Sequence, residues 1–155
     1  MTDTEITEGG KRGSRILLVE DHEPLLMCIQ CVLEEEGYTV FTATDGAQAL
    51  RVVEETGCPD LIISDVMMPR MDGYALLTAM RARPEWMFVP FIFLTARAEK
   101  EDALRAKELG AEDCIAKPFS PRKLMVAINL CLERHETREQ RRTYERRSCE
   151  ASPGG

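Results

Sequence analysis

Glu20, Asp21, Asp65, Thr95 and Lys117 are the residues with most to offer chemically, because each follows a short apolar run or its immediate continuation. Glu20 and Asp21 close Arg-Ile-Leu-Leu-Val at 15–19; Asp65 comes two residues after Leu-Ile-Ile at 61–63; Thr95 ends Phe-Ile-Phe-Leu at 91–94; Lys117 ends Asp-Cys-Ile-Ala at 113–116. An apolar run of this length bounded by turn formers reads as a buried strand that delivers a polar group to a loop. Taken singly, each could be a solvated residue. In a parallel sheet, however, the carboxyl ends of the strands share one edge, and ligands bind outside that edge. Three carboxylates gathered there need a compensating cation, because neighbouring like charges raise one another's pKa. All-oxygen ligation points to Mg²⁺ rather than a transition metal. A Thr and a Lys beside it would hold the oxygens of a dianionic group such as phosphoryl, leaving one carboxylate free to attack. The chemistry implied is phosphoryl transfer to a carboxylate, helped mainly by positioning and charge stabilisation.

The elements between these residues are those that would gather them. After Glu20 and Asp21, Pro24 suits a first helical turn, and Leu25, Leu26, Cys28, Ile29, Val32 and Leu33 recur at helical spacing until Gly37. Tyr38 to Ala43 alternates as a second strand, and Asp45 with Gln48 resembles a capping box opening a second helix that ends near Gly57. Pro69 and Gly73 punctuate the stretch after Asp65; a third helix spans Tyr74 to Ala82 and stops at Pro84. A fourth, weakly amphipathic helix covers Glu99 to Leu109, closed by Gly110, and Ser120-Pro121 caps a fifth carrying Leu124, Met125, Ile128, Cys131 and Leu132. Five strands alternating with five helices predict an α/β, doubly wound, five-stranded parallel sheet with right-handed crossovers. The expected organisation is a flexible leader over 1–14, one domain over 15–134, and a charged extension or linker over 135–155. The stretch from Glu133 to Glu150 holds six Arg and five Glu with poor coiled-coil positions, which reads as a solvated or frayed continuation of the fifth helix.

With 155 residues and 44% hydrophobic content, the chain suits one globular unit. No apolar run approaches the roughly 20 residues needed to cross a bilayer, so a cytoplasmic location and no membrane association are expected. A net charge of −7 argues against direct nucleic acid binding and for protein partners. The six cysteines read as free thiols, Cys28 and Cys31 included, since no second pair stands at metal-ligand spacing.

Ile-Leu-Leu-Val-Glu-Asp at 16–21, Asp-Val-Met-Met-Pro-Arg-Met-Asp-Gly at 65–73, Leu-Thr-Ala at 94–96 and Lys-Pro-Phe at 117–119 together resemble the receiver domain of two-component response regulators, over about residues 14–134. The resemblance implies a flavodoxin-like fold of the receiver type. It implies that Asp65 accepts phosphate from a sensor histidine kinase or phosphotransfer protein, and that Asp21, Asp65 and the Met67 backbone carbonyl ligate Mg²⁺ while Glu20 acts largely through water. Thr95 and Lys117 would contact the phosphoryl group, the Lys117–Pro118 bond would be cis, and Met67 and Arg97 would tune hydrolysis. Similar proteins signal by drawing the Thr inward with an aromatic residue on the fifth strand; Cys114 stands at that position here, which suggests an altered switch from Thr95 through Cys114. Output is expected at the surface of the fourth helix, fifth strand and fifth helix, towards a downstream protein target, a missing output domain, or a phosphorylation-dependent homodimer. No helix-turn-helix or catalytic output domain fits the final residues.

The expectation is therefore a phosphoacceptor switch rather than a turnover enzyme. A Mg²⁺-dependent phosphatase of the haloacid dehalogenase type is the competing reading, although that class wants a second acid two residues after its nucleophile, where this chain has Met67.

Overall fold

The computed structural model describes residues 13–96 and 100–151. Strands β1 (Arg15–Val19), β2 (Thr39–Ala43), β3 (Leu61–Asp65), β4 (Phe91–Thr95) and β5 (Asp113–Ala116) alternate with helices α1 (Glu23–Glu35), α2 (Gly46–Thr56), α3 (Gly73–Arg81), α4 (Lys100–Glu108) and α5 (Pro121–Ala151). The sheet is wholly parallel in the order β2-β1-β3-β4-β5, as the alternation predicts.

Both sheet faces are covered, so the central strands carry near-continuous apolar runs that give way to buried polar residues only at their carboxyl ends. Period-two alternation then divides their side chains between two cores. Ile16, Leu18, Leu61, Ile63, Ile92, Leu94 and Ile115 pack against Leu26, Ile29 and Leu33 of α1 and Leu124, Ile128 and Leu132 of α5. Leu17, Val19, Ile62, Phe91 and Phe93 pack against Ala49 and Val53 of α2, Leu76, Leu77 and Met80 of α3, and Ala106 of α4.

Local signals fix the helix starts. Asp45 accepts a hydrogen bond from the Gln48 amide at 2.8 Å, Asp72 from Ala75 at 2.8 Å, and Ser120 from Lys123 at 3.1 Å. Gln48 returns its own bond one residue further back than in a capping box, accepting from the Thr44 amide at 2.7 Å and hydroxyl at 2.9 Å. Gly37 and Gly57 adopt positive φ where α1 and α2 end.

Three details differ from the sequence expectation. Tyr38 lies just outside β2, buried and donating its hydroxyl to Asn129 at 2.9 Å. Asp65 is the last residue of β3 rather than the first of a loop, because it stays in register with Leu94. Cys28 is exposed: the apolar stripe of α1 is wider than the sheet contact, and its outer edge faces a groove instead. Helix α5 crosses position 134 without a break and runs into the charged stretch, where Glu133, Arg134, Thr137, Arg138 and Arg141 are exposed. Of the leader expected over 1–14, only Gly13 and Ser14 are among the described residues. Among the described residues no helix is long and apolar enough to cross a membrane.

Candidate functional site

Glu20, Asp21 and Asp65 meet at the carboxyl edge of the sheet, where β1 and β3 are neighbours. One carboxylate oxygen of each lies within 4.8 Å of the others. Glu20 prolongs the alternation of Ile16 and Leu18, and Asp65 that of Leu61 and Ile63, so both belong to the face shared with α1 and α5. Lys117 stands two residues after Ile115 of the same face. From the end of β5 it reaches across β4: its ammonium donates to Glu20 Oε1 at 2.8 Å and to Asp65 Oδ2 at 3.0 Å. The His22 amide donates to Glu20 Oε2 at 3.1 Å, and the Met67 amide to Asp65 Oδ1 at 3.3 Å. Glu20 is 1% exposed and Asp65 7%, whereas Asp21 is open to solvent.

Burial pushes the Glu20 carboxyl above its ordinary value; the bond from Lys117 opposes this and the Asp65 charge adds to it. Burial pulls the Lys117 ammonium down, but its hydrogen bonds to Glu20 and Asp65 outweigh that and the net shift is upward. A site that strains one carboxylate towards protonation while holding three within reach of a common point suits a hard divalent cation. The donor set therefore fits Mg²⁺, with Glu20, Asp21 and Asp65 as the candidate ligands.

Thr95 is buried at the end of β4, and its carbonyl accepts from the Lys117 amide at 2.7 Å, which extends the β4–β5 ladder to the lysine. The Lys117–Pro118 bond is cis. Cys114 pairs with Phe93 in register and is half-buried against the core under α3 and α4, the same core that Phe91 and Phe93 fill. Arg97 lies outside the described residues.

The segment after Asp65 is fastened at its base. The Val66 amide donates to Leu94 at 3.1 Å, and the Gly73 amide to Val66 at 2.8 Å. Gly73 is required by close approach: a Cβ there would collide with the Asp65 carbonyl oxygen and lie 3.0 Å from Phe93 Cε1. Met67 emerges from this segment 72% exposed. Beside the site, a largely apolar groove of about 610 Å³ runs between α1 and the loop after β5, lined among others by Leu25, Cys28, Ile29, Pro118 and Phe119.

The sequence matches the family described as the response regulator receiver domain over residues 16–129. The chain belongs to the receiver domain family of two-component response regulators. Among its relatives is the alkaline phosphatase synthesis transcriptional regulatory protein PhoP of Bacillus subtilis, 41% identical over 124 residues, or 80% of this chain and 50% of PhoP. The response regulator SaeR of Staphylococcus aureus is 36% identical over 78% of this chain and 51% of its own length. The receiver chain thus spans about half the length of the curated relatives it matches. A solved structure of the receiver domain of the sensor histidine kinase PA1611 from Pseudomonas aeruginosa, with a magnesium ion coordinated in its active site cleft, superposes with a TM-score of 0.71 at 35% identity, covering 78% of this chain and 98% of that one.

The family assignment supports the receiver reading and gives none to the dehalogenase-type phosphatase. The sequence pattern named all the acids, the threonine and the lysine of this rim. It missed Arg70, although Arg70 stands inside the Asp65–Gly73 stretch, and it missed the groove, because the α1 residues that line it carry the same apolar signal as core residues.

Proposed function

We propose that Asp65 of this receiver is the phosphoacceptor, and that the Lys117 bridge to Asp65 and Glu20 is the observation that carries this reading. An Asp65 carboxylate oxygen attacks phosphorus of a phosphohistidine in line; the O–P bond forms as the N–P bond breaks, and the histidine leaves. Lys117 and Thr95 hold the incoming phosphoryl oxygens. The Met67 amide on Asp65 Oδ1 orients the carboxylate. Asp21 and Asp65 with the Met67 carbonyl would ligate Mg²⁺, Glu20 acting through water, and the ion would supply charge neutralisation. The exposed Met67 side chain and Arg97 flank the site and set how readily water removes the phosphoryl group.

The donor is a cytoplasmic histidine kinase or phosphotransfer protein, and the apolar groove beside Lys117 is where its phosphohistidine-bearing helix lies. Phosphorylation then moves Thr95 and Cys114 and alters the surface of α4, β5 and α5, where Leu104, Val126 and Leu130 are exposed. The receiver unit closes near residue 134, and the rest of α5 is a charged extension that carries its output to a protein target, a further domain or a second copy. The chain works as a switch that turns over no other substrate.

Incubation with acetyl phosphate and Mg²⁺ tests this. One phosphoryl group should be added per chain, and Asp65→Ala should abolish it. Labelling that survives in Asp65→Ala, or repeated turnover on phosphomonoesters, would overturn the reading.

A further inference from the structure

Asp45 caps α2 with one carboxylate oxygen and uses the other elsewhere. Oδ1 accepts from the Gln48 amide at 2.8 Å, and Oδ2 accepts from Arg70 at 2.9 Å. The carboxylate is 5% exposed and also takes a bond from the Ala47 amide, so it is held within the fold, while Arg70 lies largely in solvent. Arg70 also has a φ of 65°, a left-handed conformation that disfavours any residue with a Cβ. The next residue of each segment joins the contact: the Gly46 amide donates to the Met71 carbonyl at 3.1 Å. A Cβ on residue 46 would stand 2.7 Å from Met71 Cγ and 2.8 Å from its carbonyl oxygen, so only glycine lets the two backbones meet.

The segment after Asp65 is therefore gripped twice, at Val66 and Gly73 by β4 and its own base, and at Arg70 and Met71 by the start of α2. Between the grips runs Met67, whose amide touches Asp65 Oδ1. We propose that Asp45 and Arg70 form a positioning clip that sets the Met67 backbone against Asp65, so that opening the clip weakens divalent-cation binding at Asp21, Asp65 and the Met67 carbonyl without substituting any of these ligands. The proposal rests on the assignment of Asp65 and Met67 to the metal site.

Mn²⁺ alone, titrated into the full chain and followed by the loss of its free-ion EPR signal, reads the clip directly. Asp45→Asn keeps a capping oxygen but loses the charge; Arg70→Ala removes the other partner. Each should raise the Mn²⁺ dissociation constant about threefold, the scale of a partly exposed ion pair. The double variant should be no weaker than the worse single, since both act through one contact, and Arg70→Lys should recover part of the affinity. Labelling of Asp65 by acetyl phosphate should slow at low Mg²⁺ and return to the wild-type rate at saturation. Unchanged Mn²⁺ affinity in both singles, or a labelling defect that persists at saturation, would overturn the clip. A wild-type chain that binds Mn²⁺ with the expected variant losses, yet takes no phosphoryl group on Asp65, would support the clip and sink the phosphoacceptor reading.

Discussion

Lys117→Met separates the electrostatics of the rim from its packing, since methionine keeps much of the aliphatic stem and loses the ammonium. In the wild type Lys117 neutralises two carboxylates of which Glu20 is almost fully buried. At the effective dielectric of a protein surface, unit charges about 4 Å apart attract by about 4 kcal/mol. Desolvation of the ammonium returns much of that, and removing one partner of a fully buried pair costs about 3–5 kcal/mol. Lys117 is at the rim with its side chain 19% exposed, so water can partly replace it; a loss of about 2 kcal/mol is expected, or about 6 °C in thermal midpoint for a chain of this size. The pH profile carries the signature. The Lys117 pKa is raised on folding, so its contribution is complete below the ordinary lysine value, about 10.4, and is lost as pH rises through the raised value. That alkaline limb should vanish in the variant. Glu20, already raised by burial, loses its main compensating bond, so the variant should gain stability as pH falls from the raised Glu20 value towards the ordinary carboxylate value, where its folded form takes up a proton first. Thermal unfolding across pH, with and without excess Mg²⁺, measures all three effects, and Mg²⁺ should stabilise the variant more than the wild type. An unchanged or higher midpoint without Mg²⁺ would refute the reasoning, as would an alkaline limb that persists.

Gly73→Ala should destabilise the fold by about 3 kcal/mol in urea unfolding, because neither the Asp65 carbonyl nor the α3 backbone can yield as a flexible side chain would. Met67→Asn should shorten the lifetime of phosphorylated Asp65, measured by the decay of labelled chain, if the apolar side chain beside the site slows water attack as proposed; an unchanged lifetime removes that role. The Gln48 amide, then Arg70, holds the Asp45 carboxyl below the usual carboxylate range against the pull of burial. Its contribution to stability is therefore present above about pH 4 and fades as pH falls through the lowered value, so Asp45→Asn should flatten the acid limb of the stability profile.

Strands β1, β3 and β4 were legible because a doubly covered parallel strand carries a near-continuous apolar run that gives way to polar residues, as Leu61 to Ile63 does at Ser64 and Asp65, whereas β2 was legible from its alternation. Helix starts at Asp45 and Ser120 were legible for a local reason also, the side-chain oxygen that satisfies an amide three residues on. Cys28 shows where that logic ends: helical spacing gives an apolar stripe, but only the width of the sheet contact decides which part of it is core and which part lines a groove.

By itself the sequence determined which groups this receiver carries to the edge of its sheet, since strand period and strand ends are properties of a few adjacent residues. The tertiary structure decided which of them touch. The strand order places β4 between Asp65 and Lys117, residues 52 positions apart in the chain, and only a long side chain on the matching face spans that strand to join Glu20 and Asp65. The grip of Asp45 on Arg70 is likewise a meeting of two loops 25 residues apart, and no local pattern in either segment encodes it.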